Sequence, residues 1–178
     1  MTTFKDYIRD AMLNDLTVCQ HLYGKIPAGS MDKRPREGMR STRELLNYLA
    51  YIGSGSVETY ISGGWAKEEN VQRMKAIREN ANAMEPEEFI ERLELEKRKI
   101  TDSFAAITDE DLLTKETTHP WGTKCKLIEA LLNNSLKYLA AYRLQLFTYA
   151  KMYGADIGTP NAWRGVDAKP KVAAPVAA

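Results

Sequence analysis

From Lys126 to Tyr153 the chain runs without a proline or glycine, KLIEALLNNSLKYLAAYRLQLFTYAKMY, and its apolar residues return every three or four positions. A strand cannot carry such a pattern over this length, so the stretch commits the chain to a long amphipathic helix that must bury one face. Three other stretches supply partners for it. The first runs from about Thr3 to Tyr23, with Thr3 and Asp6 as a capping pattern and Ile8, Met12, Leu16, Cys19 and Tyr23 on one stripe. The second opens on Ser41-Thr-Arg-Glu44, a capping box, and presents Leu45, Leu46, Leu49, Ile52, Val57 and Tyr60 before Gly63-Gly64 ends it. The third begins near Pro86, a residue suited to a first helical turn, and buries Phe89, Leu93, Ile100, Phe104 and Ile107.

These helices predict an all-α fold, an antiparallel four-helix bundle with one extra short helix at about 65–82. The chain of 178 residues suits one domain over 1–154, followed by an extension over 155–178. The end of that extension is rich in Ala, Pro and Lys and reads as a flexible tail, with Trp163 docking part of it. Thr108 to Asp111 repeats the capping pattern ahead of a short helix, and Thr117 to Thr123, TTHPWGT, breaks the helical run. His119 is expected in a loop at the bundle end with Trp121 plugging that end, and no stretch shows strand-like alternation. His21 falls off the first stripe and is expected to face solvent.

Lys and Arg number 25 against 24 Asp and Glu, so no net field draws the chain to nucleic acid or an acidic membrane. Apolar runs stop short of the roughly 18 to 20 residues needed to cross a bilayer, and the N-terminus lacks the pattern of a signal peptide. The expectation is a cytoplasmic protein with neither nucleic acid nor membrane as partner. Cys19 and Cys125 form no metal-finger spacing and read as small hydrophobes. The basic loop carrying Lys33, Arg34, Arg36 and Arg40 reads first as a solvated connection and second as an anion site near the helix that follows.

In a bundle, side chains four apart on one helix can serve one interior site. Tyr138 and Tyr142 have that spacing, and Gln145 and Tyr149 continue their face. Here the chain resembles the DinB-like (DinB/YfiT) family. The resemblance rests on Arg34-Pro35 through Ser41-Thr-Arg-Glu-Leu-Leu-Asn-Tyr48-Leu-Ala50, on Gly122-Thr123 through Ile128-Glu-Ala-Leu, and on Tyr138-x-x-x-Tyr142-Arg-x-Gln145-Leu. It implies a bacterial protein with a four-helix bundle in which three histidines hold a divalent metal, one in the second helix and an H-x-x-x-H pair in the last. Some relatives of this kind transfer low-molecular-weight thiols.

All three of those positions carry tyrosine in this chain: Tyr48, Tyr138 and Tyr142. A phenol has a pKa near 10 and must lose its proton to ligate well, whereas neutral imidazole is available near pH 7. The expectation is therefore no metal and no cofactor. Tyr48, Tyr138, Tyr142 and Gln145, with an arginine, form either a pocket for a small polar molecule or a self-satisfied packed core. The alternatives are a divalent-metal-dependent transferase or hydrolase using unexpected ligands, and a structural module that forms a homodimer through an exposed helix face.

Overall fold

Helix starts are set by local chemistry, and the expected capping boxes form. In the computed structural model, which describes residues 2–169, Ser41 N–H donates to Glu44 at 2.7 Å while Glu44 N–H donates to Ser41 Oγ at 3.2 Å. Thr108 and Asp111 exchange the same pair of bonds, and Thr3 N–H donates to Asp6. The elements that follow are α1 (Phe4–Tyr23), α2 (Thr42–Ile61), α3 (Glu68–Asn82), a 3₁₀ turn at Pro86–Glu88, α4 (Phe89–Ala105) and α5 (Asp109–Thr114). Then come β1 (Glu116–Thr118), β2 (Lys124–Lys126), α6 (Leu127–Ala130), a π-helical segment (Leu131–Leu136), α7 (Lys137–Met152) and α8 (Thr159–Arg164). Most of the expected flexible tail, residues 170–178, lies outside the described residues.

The all-α bundle is as expected: α1, α2, α4 and α7 pack so that α1 and α2 each touch both α4 and α7. Phe4 and Lys5 amides bond Asp109 beyond the end of α4, and Gln20 bonds Glu94 near its start, so α1 and α4 are antiparallel. Tyr60 meets Asn134 and Tyr48 meets Tyr142, so α2 and the last long helix are antiparallel too. By contrast, Arg43 pairs with Glu85 and Ser54 with Glu96, which sets α2 alongside α4 in the same direction. The extra helix α3 makes this possible by carrying the chain back along α2 before α4 begins. Leu16, Leu45, Leu49, Leu93, Phe104, Leu139 and Leu146 fill the shared core. Gly53 lets that core close, since a Cβ there would stand 3.3 Å from both Glu96 Oε2 and Ile100 Cδ1.

Four local expectations need correction. Residues 116–126 form a small antiparallel hairpin with Thr117 opposite Cys125, and strands of three residues are too short to betray themselves by alternation. Trp121 does not plug the bundle end; it is 61% exposed and stacks on His119 with centroids 4.6 Å apart. His21 does not face solvent, because α8 returns over α1 and Asn161 lies 3.0 Å from His21 Nε2. The last long helix is continuous but not uniformly α: its π-helical segment turns Asn134 and Ser135 toward α2. The link between α2 and α3 docks on the hairpin through Gly64, whose φ of +91° and close approach to Thr118 exclude a side chain. Among the described residues no helix is long and apolar enough to cross a membrane.

Candidate functional site

Tyr48 stands at the edge of the buried stripe of α2, half-buried, and Tyr142 faces it from α7. Their ring centroids are 4.5 Å apart and the rings are tilted by 55°, a favourable aromatic arrangement. Tyr51, one turn on from Tyr48, meets it edge to face at 5.4 Å. Arg40, at the end of the long loop before α2, lies across the pair: its guanidinium carbon is 4.4 Å from the Tyr48 centroid and 5.4 Å from that of Tyr142. Such a placement lets the ring faces stabilise the cation. The loop is held in place by Tyr149, whose hydroxyl donates to the Arg40 carbonyl at 3.0 Å, and by Arg34, which forks onto Glu44.

Two of the four sequence-derived site residues, Tyr48 and Tyr142, are thus brought into contact. Gln145 lies one turn further along α7 and donates to Tyr149 Oη at 2.8 Å. Tyr138 sits one turn before Tyr142, half-buried, without an aromatic or hydrogen-bond partner among the described residues. The arginine over the tyrosines is Arg40, from the basic loop. Arg143, which follows Tyr142 in sequence, turns instead toward α1, pairs with buried Asp15 at 2.9 Å, donates to the Ala162 carbonyl and stacks on Trp163.

Burial holds the Tyr48 phenol far above the ordinary phenol range, and the neighbouring Tyr142 and Tyr51 add to this, outweighing the pull of Arg40. Tyr138 is raised by burial and then by Tyr142. Tyr51 is raised by burial as well, while Arg78 and then Arg40 draw it back. These residues do not fit a divalent metal. Two of the three phenols resist ionisation, two of the rings pack together, and a guanidinium already supplies positive charge above them. Among the described residues no three His, Cys, Asp or Glu side chains cluster to replace them.

Beside the tyrosine pair the surface opens into a cleft of about 370 Å³ between the loop and the end of α3. Tyr48 and Tyr51 form part of its wall, together with Arg40, Arg78 and Asn82. Sequence reasoning singled out Tyr48 and counted Arg40 among the basic loop residues, but missed Tyr51, Arg78 and Asn82. Only the spacing of Tyr48 and Tyr51, three apart on one helix, could have signalled the first of these.

A second polar seam crosses the bundle interior. Glu96 of α4 is fully buried and accepts from Ser54 N–H at 2.8 Å and from Ser54 Oγ at 2.6 Å. Desolvation pushes its pKa up to about 7 despite those two bonds. Ser56 bonds Ser135 at 2.9 Å, and Asn134 donates to Tyr60 Oη at 2.8 Å while lying 2.7 Å from His119 Nδ1. Burial raises Tyr60 to about 12, even though the Asn134 bond favours the phenolate. Cys19 is fully buried and its thiol is pushed up by desolvation, which suits a packing role.

No family profile matches the chain, and no curated protein sequence matches it. Among solved structures, the 1.70 Å crystal structure of a protein from Exiguobacterium sibiricum 255-15, proposed to belong to the DinB family, superposes with a TM-score of 0.67. The alignment covers 90% of this chain and 99% of that one, at 23% identity. The two share one fold. The resemblance read in the sequence therefore holds for the fold: the same helical bundle, over 90% of this chain.

Proposed function

We propose that this chain is a DinB-type protein whose metal position has become an arginine-capped tyrosine pair, and that it binds a small polar molecule in the adjoining cleft without a divalent metal. The observation that carries this reading is Arg40 lying across Tyr48 and Tyr142, 4.4 Å and 5.4 Å from the ring centroids. A fixed cation there does the electrostatic work that a metal would do and repels a second cation from the same place. Tyr48 and Tyr51 contribute apolar faces with hydroxyl tips, a combination that suits a ligand with both polar and apolar parts.

The test combines elemental analysis with ligand screening. Protein purified without chelators should retain far less than one equivalent of zinc, nickel, iron or manganese. Compounds that raise its Tm in a thermal-shift screen should do so equally with and without a chelator, and Tyr48→Ala should lose those shifts. Retention of a stoichiometric metal, or ligand binding abolished by chelation, would refute the proposal and favour the metal-dependent transferase reading.

A further inference from the structure

The cleft described above is one half of a longer feature. A second depression of about 290 Å³ shares Tyr48, Tyr51 and Arg78 with it and continues between α2 and α3 over Ile52, Trp65, Val71 and Met74. The two ends differ in chemistry. At the first, Arg40, Arg78 and Tyr51 line one cleft, and Asn82 adds an amide. Arg34 beside them is neutralised by its fork onto Glu44, at 2.5 and 2.7 Å, but neither Arg40 nor Arg78 forms an ion pair among the described residues. At the second end the wall is aliphatic and aromatic, with Lys75 the one further charge on its rim.

Two guanidiniums lining one cleft, neither in an ion pair among the described residues, leave it positively charged, and the complement that relieves this is an anion. Guanidinium favours carboxylate and phosphate because its planar N–H pairs match two oxygens at once. The apolar continuation then favours a ligand whose acid group carries a short hydrophobic body, since burying that body releases water from Ile52, Trp65 and Met74. We propose that the cleft takes a small amphiphilic organic anion, its acid group, a carboxylate or phosphate monoester, set between Arg40 and Arg78 and its apolar body laid toward Trp65 and Met74. This inference rests on the reading of the chain as a metal-free small-molecule binder and specifies the class of molecule. The near-zero net charge of the whole protein makes the recognition local, and volumes of about 370 and 290 Å³ suit a small molecule better than a polymer.

Isothermal titration of the full chain with octanoate, octyl phosphate, 1-octanol and inorganic phosphate tests it. At least one of the two amphiphilic acids should bind about tenfold or more tightly than either octanol, which lacks the charge, or phosphate, which lacks the body, as expected when a charged hydrogen bond is made. The tighter of the two identifies the acid group. Arg78→Gln, at an exposed position on α3, should weaken the acid by about tenfold and leave octanol unchanged. Val71→Asp, also exposed, should weaken acid and octanol together. Octanol binding as tightly as the acids, or Arg78→Gln leaving their affinity unaltered, would overturn the anion assignment while leaving the small-molecule reading intact. Absence of binding by all four to folded protein also overturns this inference, and the broader reading falls with it only if the thermal-shift screen finds no ligand.

Discussion

Replacing Glu96 by Gln should alter how stability depends on pH. The carboxylate is fully buried between α2 and α4, with both of its oxygens held by Ser54. Desolvation, with a small push from Glu58, outweighs the Ser54 bonds and Lys99, raising the pKa from an ordinary 4.5 to about 7. In the unfolded chain the group ionises near the ordinary value. Between the two values the folded protein keeps a proton that the unfolded chain has released, so unfolding free energy falls as pH rises. The stabilisation is fully present below the unfolded pKa and is lost as pH passes through about 7. Each tenfold change in proton affinity is worth about 1.4 kcal/mol, so the full effect is about 3 kcal/mol, a large share of a typical domain's 5–15 kcal/mol. Glutamine keeps the size, can accept from Ser54 N–H and donate to Ser54 Oγ, and has no proton to lose. Urea denaturation followed by circular dichroism, from about pH 5 to about pH 8, should find E96Q close to the parent at the acid end and about 3 kcal/mol more stable at the alkaline end. Parallel profiles for the two proteins would refute the reasoning, as would a variant less stable at high pH. Either would mean that Glu96 titrates like a solvated acid or that its charge is needed.

Two other perturbations have defined outcomes. Gly64→Ala forces a Cβ to within 2.3 Å of Thr118 N at a φ of +91°, so calorimetry should find a loss of about 3 kcal/mol or more from strain and displacement of the hairpin. Arg143→Met leaves Asp15 buried without its partner and should cost about 3 kcal/mol in denaturant unfolding near neutral pH; adding Asp15→Asn should recover more than half of it, whereas additive losses would show the pair to be uncoupled.

Features that depend on residues near in sequence were legible before the fold was known. The Ser41–Glu44 and Thr108–Asp111 boxes, the stripe of α1 and the end of α2 at Gly63-Gly64 are set by contacts within one turn, and each stands where its spacing places it. Contacts made across the bundle were not legible. His21 looked solvent-facing because nothing in α1 announces Asn161, 140 positions later. Arg40 was one of several cations in a loop, and nothing in its neighbours tells that its backbone is fixed by Tyr149 while its side chain covers Tyr48 and Tyr142. The tyrosine face was visible as a spacing, yet spacing alone could not reveal that Gln145 bonds Tyr149 or that Arg78 from α3 joins the cleft. Trp121 failed for a related reason: its size suggested burial, whereas the hairpin carries it outward onto His119.

The π-helical segment at Leu131–Leu136 gives the last long helix a place where its length can change. A π turn takes up one residue more than α-helical winding would, through its i→i+5 bonding. Removing exposed Asn133 would return the segment to plain α-helix and leave Tyr142 still aimed at α2. The same deletion at exposed Ala141 would rotate all that follows by about 100°, taking Tyr142 from Tyr48 and Tyr149 from the Arg40 carbonyl. The helix is therefore tolerant of a one-residue deletion at this point and strict beyond it, and a chain of this architecture can shorten there while its cleft stays in register.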